Sequence, residues 1–319
     1  MLHVTNGAAV GDTLAGVVDG RIVSWDDILH DGPVPGTLSA AELRSTRARF
    51  IAERGWEDVT AAEHRFAERD AALEAEAQEI VLWFEHDLYD QLQLLQILDR
   101  LADATGSNRV MLIQSDTYLG PLNAGELAAL FPTRRVITER DLSSAAEAWA
   151  AFTQPDPHWI ARLAARTDLP LPYVAPALRR LLEQFPGEAN GLSRSERLIL
   201  NAVAAGAITP ATSFLHSQKR DQPYFLSDTC FAWYLERMAA APAPLIVRAD
   251  RAPLTPPDGP DAGFWHAALE LTETGEAVHN GDADWVMLQG LDRWYGGVHL
   301  EGHFTRWRWD AARGLVDAA

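Results

Sequence analysis

The stretch IVLWFEHDLYDQLQLLQIL, residues 80–98, sets two patterns end to end. Ile80 to Phe84 is a brief, wholly apolar run, as expected of a strand buried on both faces. Leu88, Leu92, Leu95 and Leu98, with Leu101 beyond them, recur at helical spacing, so a helix should follow and pack firmly on the sheet. Two of the polar residues between these patterns carry the chemistry. Asp87 is a natural N-cap for the leucine-rich helix. His86 can titrate near neutrality and act as acid or base, with a carboxylate to orient it. Successive strand residues point to opposite faces, so His86 and Asp87 meet one ligand only if the chain turns between strand and helix.

The same alternation of short apolar runs and longer helical patterns fills residues 1–142. Candidate strands are Leu2 to Thr5, Arg21 to Trp25, Ile80 to Phe84, Val110 to Gln114 and Val136 to Thr138, which predicts an α/β fold with a Rossmann-like parallel-sheet domain. Two charged helices are expected before Ile80. One begins after a Ser39-x-x-Glu42 capping box, and one covers about residues 60–79 with a solvated face. Residues 143–188 read as helix only, a helical bridge in which SAAEAWAAF, HWIARLAAR and APALRRLLEQF are separated by proline-rich joints. FPGEANGL, residues 185–192, is the expected linker, and Ser193-x-x-Glu196 caps the helix after it.

Residues 189–319 suggest a winged-helix-like α+β domain. Helices at SERLILNAVAAG, PATSFLHSQ and DTCFAWYLERMAA precede the strand PLIVR, a proline-rich loop and a second strand in ALELTETGEAVHNG. An aromatic, glycine-rich hairpin should close the chain. The segment in the recognition-helix position carries Cys230, Phe231, Trp233, Tyr234, Leu235 and Met238, with Arg237 as its only base. Groove reading needs exposed donors, so nucleic acid is an unlikely partner and protein contact or packing the preferred role.

Composition narrows the function classes further. A formal net charge of −18 disfavours non-specific binding to nucleic acid or anionic membrane. No apolar run approaches the roughly 18 residues of a membrane span, and the first ten residues do not resemble a leader, so a cytoplasmic protein is expected. The single Cys230 excludes an internal disulfide and any zinc site built on several thiolates, and a buried core thiol is its expected role.

In an open parallel sheet, ligands bind outside the carboxyl ends of the strands. Those ends supply Asn6 and Gly7, then Trp25, Asp26 and Asp27, then His86 and Asp87, then Gln114, Ser115 and Asp116. The catalytic candidates are His86 as acid or base, with Asp27 or Asp87 as orienting or second carboxylate. The ligand-binding candidates are Asn6, Gly7, Asp12, Trp25, His30, Gln114 and Ser115. NGAAVGDTL has two readings: an anion cradle at a helix start, or a tight turn with Asp12 as cap. It matches neither GxGxxG nor GxxxxGK[ST], and no cofactor is indicated. Asp27, His30 and His86 offer oxygen and nitrogen donors, but their spacing follows no metal motif, so no metal is assigned. His299 and His303 would share one side of a regular strand, yet lack a third ligand. Ser115 has no GxSxG elbow.

LHVTNGAAVGDTL, SWDDILHDGPVP and IVLWFEHDLYDQLQLLQIL together resemble the bacterial proteins grouped as domain of unknown function 1835, over roughly residues 1–140. LTETGEAVHNGDADWVMLQGLDRWYGGVHL is similar to the C-terminal region found with that domain. The family has no settled activity, so the resemblance implies architecture and supplies no catalytic residue. The expected function is binding of a small anionic or nucleotide-like ligand at the strand ends, with hydrolysis or group transfer as the reaction class. The alternatives are a ligand-responsive regulator using the winged helix, and a pure protein-interaction module.

Overall fold

The computed structural model describes residues 1–75, 79–103, 109–256 and 262–318. Contacts divide the chain into two compact units: Met1–Arg179 with Trp294–Val298, and Arg180–Arg293 with the residues from His299 onward. This division differs from the boundaries at 142 and 188 that composition suggests.

In order, the elements of the first unit are β1 (Leu2–Thr5), α1 (Ala8–Leu14), β2 (Arg21–Ser24), β3 (Gly32–Pro33), α2 (Ala40–Glu53), α3 (Val59–Glu74), β4 (Glu79–Phe84), α4 (Leu88–Asp103), β5 (Arg109–Gln114), α5 (Ala124–Leu130), β6 (Arg135–Val136), α6 (Glu139–Thr153), α7 (His158–Ala164) and most of α8 (Val174–Leu182). The main sheet has the order β2-β1-β4-β5-β6. β2, β1, β4 and β5 run parallel, and β6 is antiparallel to β5. The last strand expected from the sequence, Val136 to Thr138, therefore needs correction. It is Arg135–Val136, an exposed antiparallel edge, because Thr138 is already the N-cap of α6 and joins a capping box with Asp141.

β4 occupies the centre and is buried from Ile80 to Phe84. Val81 and Trp83 share one face with Met111 and Ile113 of β5, against Val10 and Leu14 of α1 and Leu127 of α5. All five leucines picked out by spacing are buried in α4, as are Leu94 and Ile97. Gln93 and Gln96 are buried there too. The Gln96 carbonyl oxygen accepts from the Trp25 indole N–H at 2.8 Å, which satisfies a polar group the core would otherwise reject. α6 packs along α4, which places the start of the expected bridge in the first unit.

Both charged helices before β4 are present, and Ser39 and Glu42 form the expected capping box. α3 is capped by Asp58 and ends at Glu74, while residues 76–78 of the expected 60–79 helix lie outside the described residues. Gly32 of β3 has φ +82°, and a Cβ there would stand 2.5 Å from the Phe50 ring. Only glycine serves at that close approach.

The second unit contains α9 (Arg194–Ala204), α10 (Pro210–Arg220), α11 (Asp228–Ala240), β7 (Ile246–Arg248), α12 (Ala262–Trp265), β8 (Leu269–Leu271), α13 (Glu273–Asn280), α14 (Trp285–Gln289), the first half of β9 (Leu291–Gly296), most of β10 (Val298–Gly302), then β11 (Trp307–Asp310) and β12 (Gly314–Asp317). β7 pairs antiparallel with β8, and β11 with β12. α11 buries Cys230, Phe231, Trp233, Tyr234, Leu235 and Met238, so the thiol is a core group as expected. Ser193 and Glu196 form the expected capping box, and buried Glu196 accepts from Arg293 at 2.7 Å.

The linker expected at 185–192 is instead a packed turn. Phe185 and Leu192 are buried, the Gly187 N–H donates to Leu192 O, and Asn190 donates to Val278 O. Its Pro, Gly and Asn residues shape a turn within the unit's core rather than a solvated joint.

Candidate functional site

At the carboxyl edge of the parallel sheet, β4 ends at Phe84 and the chain turns at once into α4. That turn brings Glu85, Asp87 and Asp90 together. One carboxylate oxygen from each lies within 4.8 Å of the others, and all three side chains are buried. Asn6, which follows β1, donates to Glu85 Oε1 at 3.2 Å and to Asp90 Oδ2 at 2.8 Å. From the loop after β5, the Leu119 N–H donates to Glu85 Oε1 at 2.6 Å, and Gly120 supplies a second backbone donor. Asp87 accepts from the Asp90 N–H at 3.1 Å, so its expected role as cap of α4 is present. Three neighbouring parallel strands thus send a group to one point, as the carboxyl-edge rule anticipates.

The electrostatics of this point are unusual. Burial pushes up the pKa of all three carboxyls, Asp87 to about 7 and Asp90 well above its ordinary value. The charge of Glu85 adds to the rise at Asp87. A side-chain hydrogen bond between the two favours the ionised form of Glu85 and the protonated form of Asp87. Like charges packed this closely cannot all ionise, so near neutrality the cluster retains protons. Among the described residues, no arginine pairs with any of the three.

Asp27, read from the sequence as a catalytic carboxylate, has the opposite setting. It is fully buried, its oxygens lie 2.9–3.3 Å from Arg47 Nε and Nη2, and Arg69 stands 3.7 Å away. Burial alone would raise its pKa, yet the two guanidiniums hold it below the ordinary value. Arg47 also donates to the carbonyls of Ile28 and Asp31, which fastens the 25–34 loop to α2. The structure places Asp27 in this clamp and outside the carboxylate cluster.

Asn6 is the ligand-binding candidate that joins the cluster, and Gly7 beside it begins α1 without a side-chain cap. Asp12 lies inside α1 and is exposed, so its expected capping role fails because the helix starts at Ala8. Trp25 is buried, with the Arg69 guanidinium 4.4 Å from its ring. His30 is buried, its ring 6.2 Å from that of Tyr89 at a steep angle. Gln114 ends β5 half-buried. The Ser115 hydroxyl is held in a turn with Thr117.

His86 is half-buried at the edge, its ring 5.3 Å from that of Tyr118 and 5.9 Å from that of Tyr173. Burial lowers its pKa, partly offset by the charge of Asp116. His299 bonds to Asp292 and His303 to the Met287 carbonyl, so the two histidines engage separate partners.

Glu85 and Asp90 were not singled out by sequence reasoning. The E-x-D-x-x-D spacing between a buried run and an amphipathic helix is the signal that would have found them, since i and i+3 share a helix side. Comparison with protein-family models, with curated proteins and with solved structures finds no match for this chain.

Proposed function

We propose that the first unit is a Rossmann-like domain that binds a small phosphate-bearing, nucleotide-like ligand through a divalent cation at Glu85, Asp87 and Asp90. Hydrolysis or transfer of the phosphoryl group is the proposed activity. The observation that carries this reading is the set of three buried carboxylates that no arginine among the described residues neutralises. An anion cannot approach such a cluster directly. Glu85, Asp87 and Asp90 would supply oxygen ligands to a hard divalent cation of the magnesium or manganese type once deprotonated, and the edge so loaded would attract an anion. When bound, such a cation polarises phosphoryl oxygens.

The remaining roles belong to the chain. Asn6 orients Glu85 and Asp90, and the Leu119–Gly120 amides hold Glu85 in place. His86, neutral at pH 7 because burial lowers its pKa, accepts the proton of the attacking water or hydroxyl. Asp27 shapes the neighbouring loop through Arg47. Two of the three segments that resemble domain of unknown function 1835 contribute Asn6 and the carboxylates, and the third contributes Asp27 in its clamp with Arg47. The single buried thiol suits a cytoplasmic setting.

The test is titration of the whole chain with Mn2+ and Mg2+ by calorimetry, followed by thermal unfolding with nucleoside diphosphates and sugar phosphates, with and without the cation. Cation binding in wild type, lost in Glu85→Gln and Asp87→Asn, is the expected result, with nucleotide or sugar phosphate stabilising only when the cation is present. At a hundred times its dissociation constant a ligand adds about 2.7 kcal/mol. Absence of cation binding to well-folded wild type sinks the proposal.

A second reading rests on the order α9, α10, α11, β7, α12, β8, three helices followed by two antiparallel strands with a short helix between them, which resembles that of a winged helix. Because α11 buries most of its side chains, this module would contact protein and couple ligand occupancy to assembly.

A further inference from the structure

The helical segments SAAEAWAAF and HWIARLAAR leave a feature that the sheet-edge site does not use. α6 presents Glu147, Ala150, Ala151 and Gln154, and α7 with its following turn presents Trp159, Arg162, Leu163 and Arg166. Each set follows the spacing i, i+3, i+4, i+7, so each is one continuous helix face. Faces of this kind in adjacent helices normally interdigitate at 8–10 Å between axes. Here the α6 face contributes two alanines where larger side chains would fill the seam. A groove of about 760 Å3 stays open between the two faces, within the roughly 300–1,000 Å3 span of small-molecule sites.

The lining chemistry is asymmetric. The Trp159 indole is 51% exposed along one wall, and the Arg162 guanidinium stands 5.1 Å from its ring. Glu147, the only carboxylate in the lining, is engaged by Arg166 at 3.1 Å. Arg166 also pairs with Asp168 at 2.9 Å, whereas Arg162 forms no ion pair among the described residues. Among the described residues Arg162 therefore has no carboxylate partner; its guanidinium lies over one face of the half-exposed Trp159 ring, beside an alanine–leucine floor. A flat apolar body would stack on Trp159 and cover Ala150, Ala151 and Leu163, and a single acidic group would reach Arg162.

We propose that the groove between α6 and α7 is a second ligand site, selective for a planar aromatic carboxylate that stacks on Trp159 and pairs with Arg162. The site is separate from the carboxylate cluster and takes its ligand without a divalent cation.

The experiment is calorimetric titration of the whole chain with 2-naphthoate, with naphthalene-2-carboxamide as the neutral isostere, in buffer containing a chelator. The expected result is one saturable naphthoate site per chain, at least tenfold weaker for the carboxamide. Arg162→Gln and Trp159→Ala each weaken naphthoate at least tenfold, and their unfolding midpoints stay close to wild type because both side chains are exposed. Glu147→Gln removes the one carboxylate charge of the lining and tightens naphthoate, while Arg166 keeps its pair with Asp168. Glu85→Gln leaves it unchanged, which separates this site from the sheet edge. No saturable naphthoate binding by wild type, equal affinity for the carboxamide, or binding indifferent to Arg162→Gln and Trp159→Ala overturns the proposal.

Discussion

Asn6 Nδ2 stands 2.8 Å from Asp90 Oδ2, a bond that spans 84 residues of sequence and ties the end of β1 to the first turn of α4. The same amide nitrogen reaches Glu85 Oε1 at 3.2 Å. One side chain thus supplies donors to two buried carboxyls that no arginine pairs with among the described residues. Asn6→Ala leaves both short of a donor and should destabilise the first unit by about 1–3 kcal/mol. Asn6→Asp should be worse at pH 8 than at pH 5, since it adds a fourth acid to the cluster. Urea unfolding at the two pH values measures both effects.

The cluster also fixes the sign of a pH dependence. Asp87 titrates near 7 when folded and near about 3.9 when unfolded. Between those values the unfolded chain releases its proton while the folded chain keeps it. The contribution of Asp87 to stability is therefore full below the unfolded value and is lost as pH rises through 7. Asp27 runs the other way: its folded pKa is lowered, so its contribution is present above the unfolded value and is lost as pH falls through the folded one. Without added cation, wild type should lose stability from pH 5 to pH 8 more steeply than Asp87→Asn. Equal slopes for the two proteins would remove the retained-proton account.

Cation binding should carry a proton signature. A divalent ion at Glu85, Asp87 and Asp90 needs all three ionised, and Asp87 holds a proton up to about pH 7. Titrating Mn2+ at pH 6.5 in buffers of different ionisation enthalpy should therefore show release of at least about one proton per site. Heats independent of buffer would mean that the ion binds away from the cluster.

Much of the first unit was legible in its sequence, and the reasons are local. Ile80 to Phe84 and the leucines of α4 carry unmistakable periods, and Ser39, Asp87 and Ser193 mark helix starts through caps that involve neighbours three residues away. The carboxyl-edge rule located Asn6 and Asp87 for the same reason. What stayed hidden depends on contacts far apart in the chain. Nothing near Asp27 announces that Arg47 and Arg69 will neutralise it, and nothing near Glu85 announces that Asn6 and Leu119 will fold over it. FPGEANGL has the composition of a linker, and only its hydrogen bonds with Val278, Trp285 and Trp309 make it a core turn.

That contrast between two kinds of buried carboxylate gives the last prediction. Asp27 and Arg47 are both almost fully buried, and removing one partner strands the other's charge away from water. Arg47→Ala should cost about 3–5 kcal/mol, and it should also free the 25–34 loop, whose Ile28 and Asp31 carbonyls lose their donors. Replacing both partners, Asp27→Leu with Arg47→Met, should recover part of that loss, because the two paired charges leave together while buried Arg69 keeps Asp70 at 3.7 Å. Glu85→Gln should behave differently, with little loss of stability at pH 7.5 and a complete loss of cation binding. A double variant at 27 and 47 that folds and still binds Mn2+ with wild-type affinity would assign Asp27 to architecture. Abolished cation binding in that folded double variant would return Asp27 to the site.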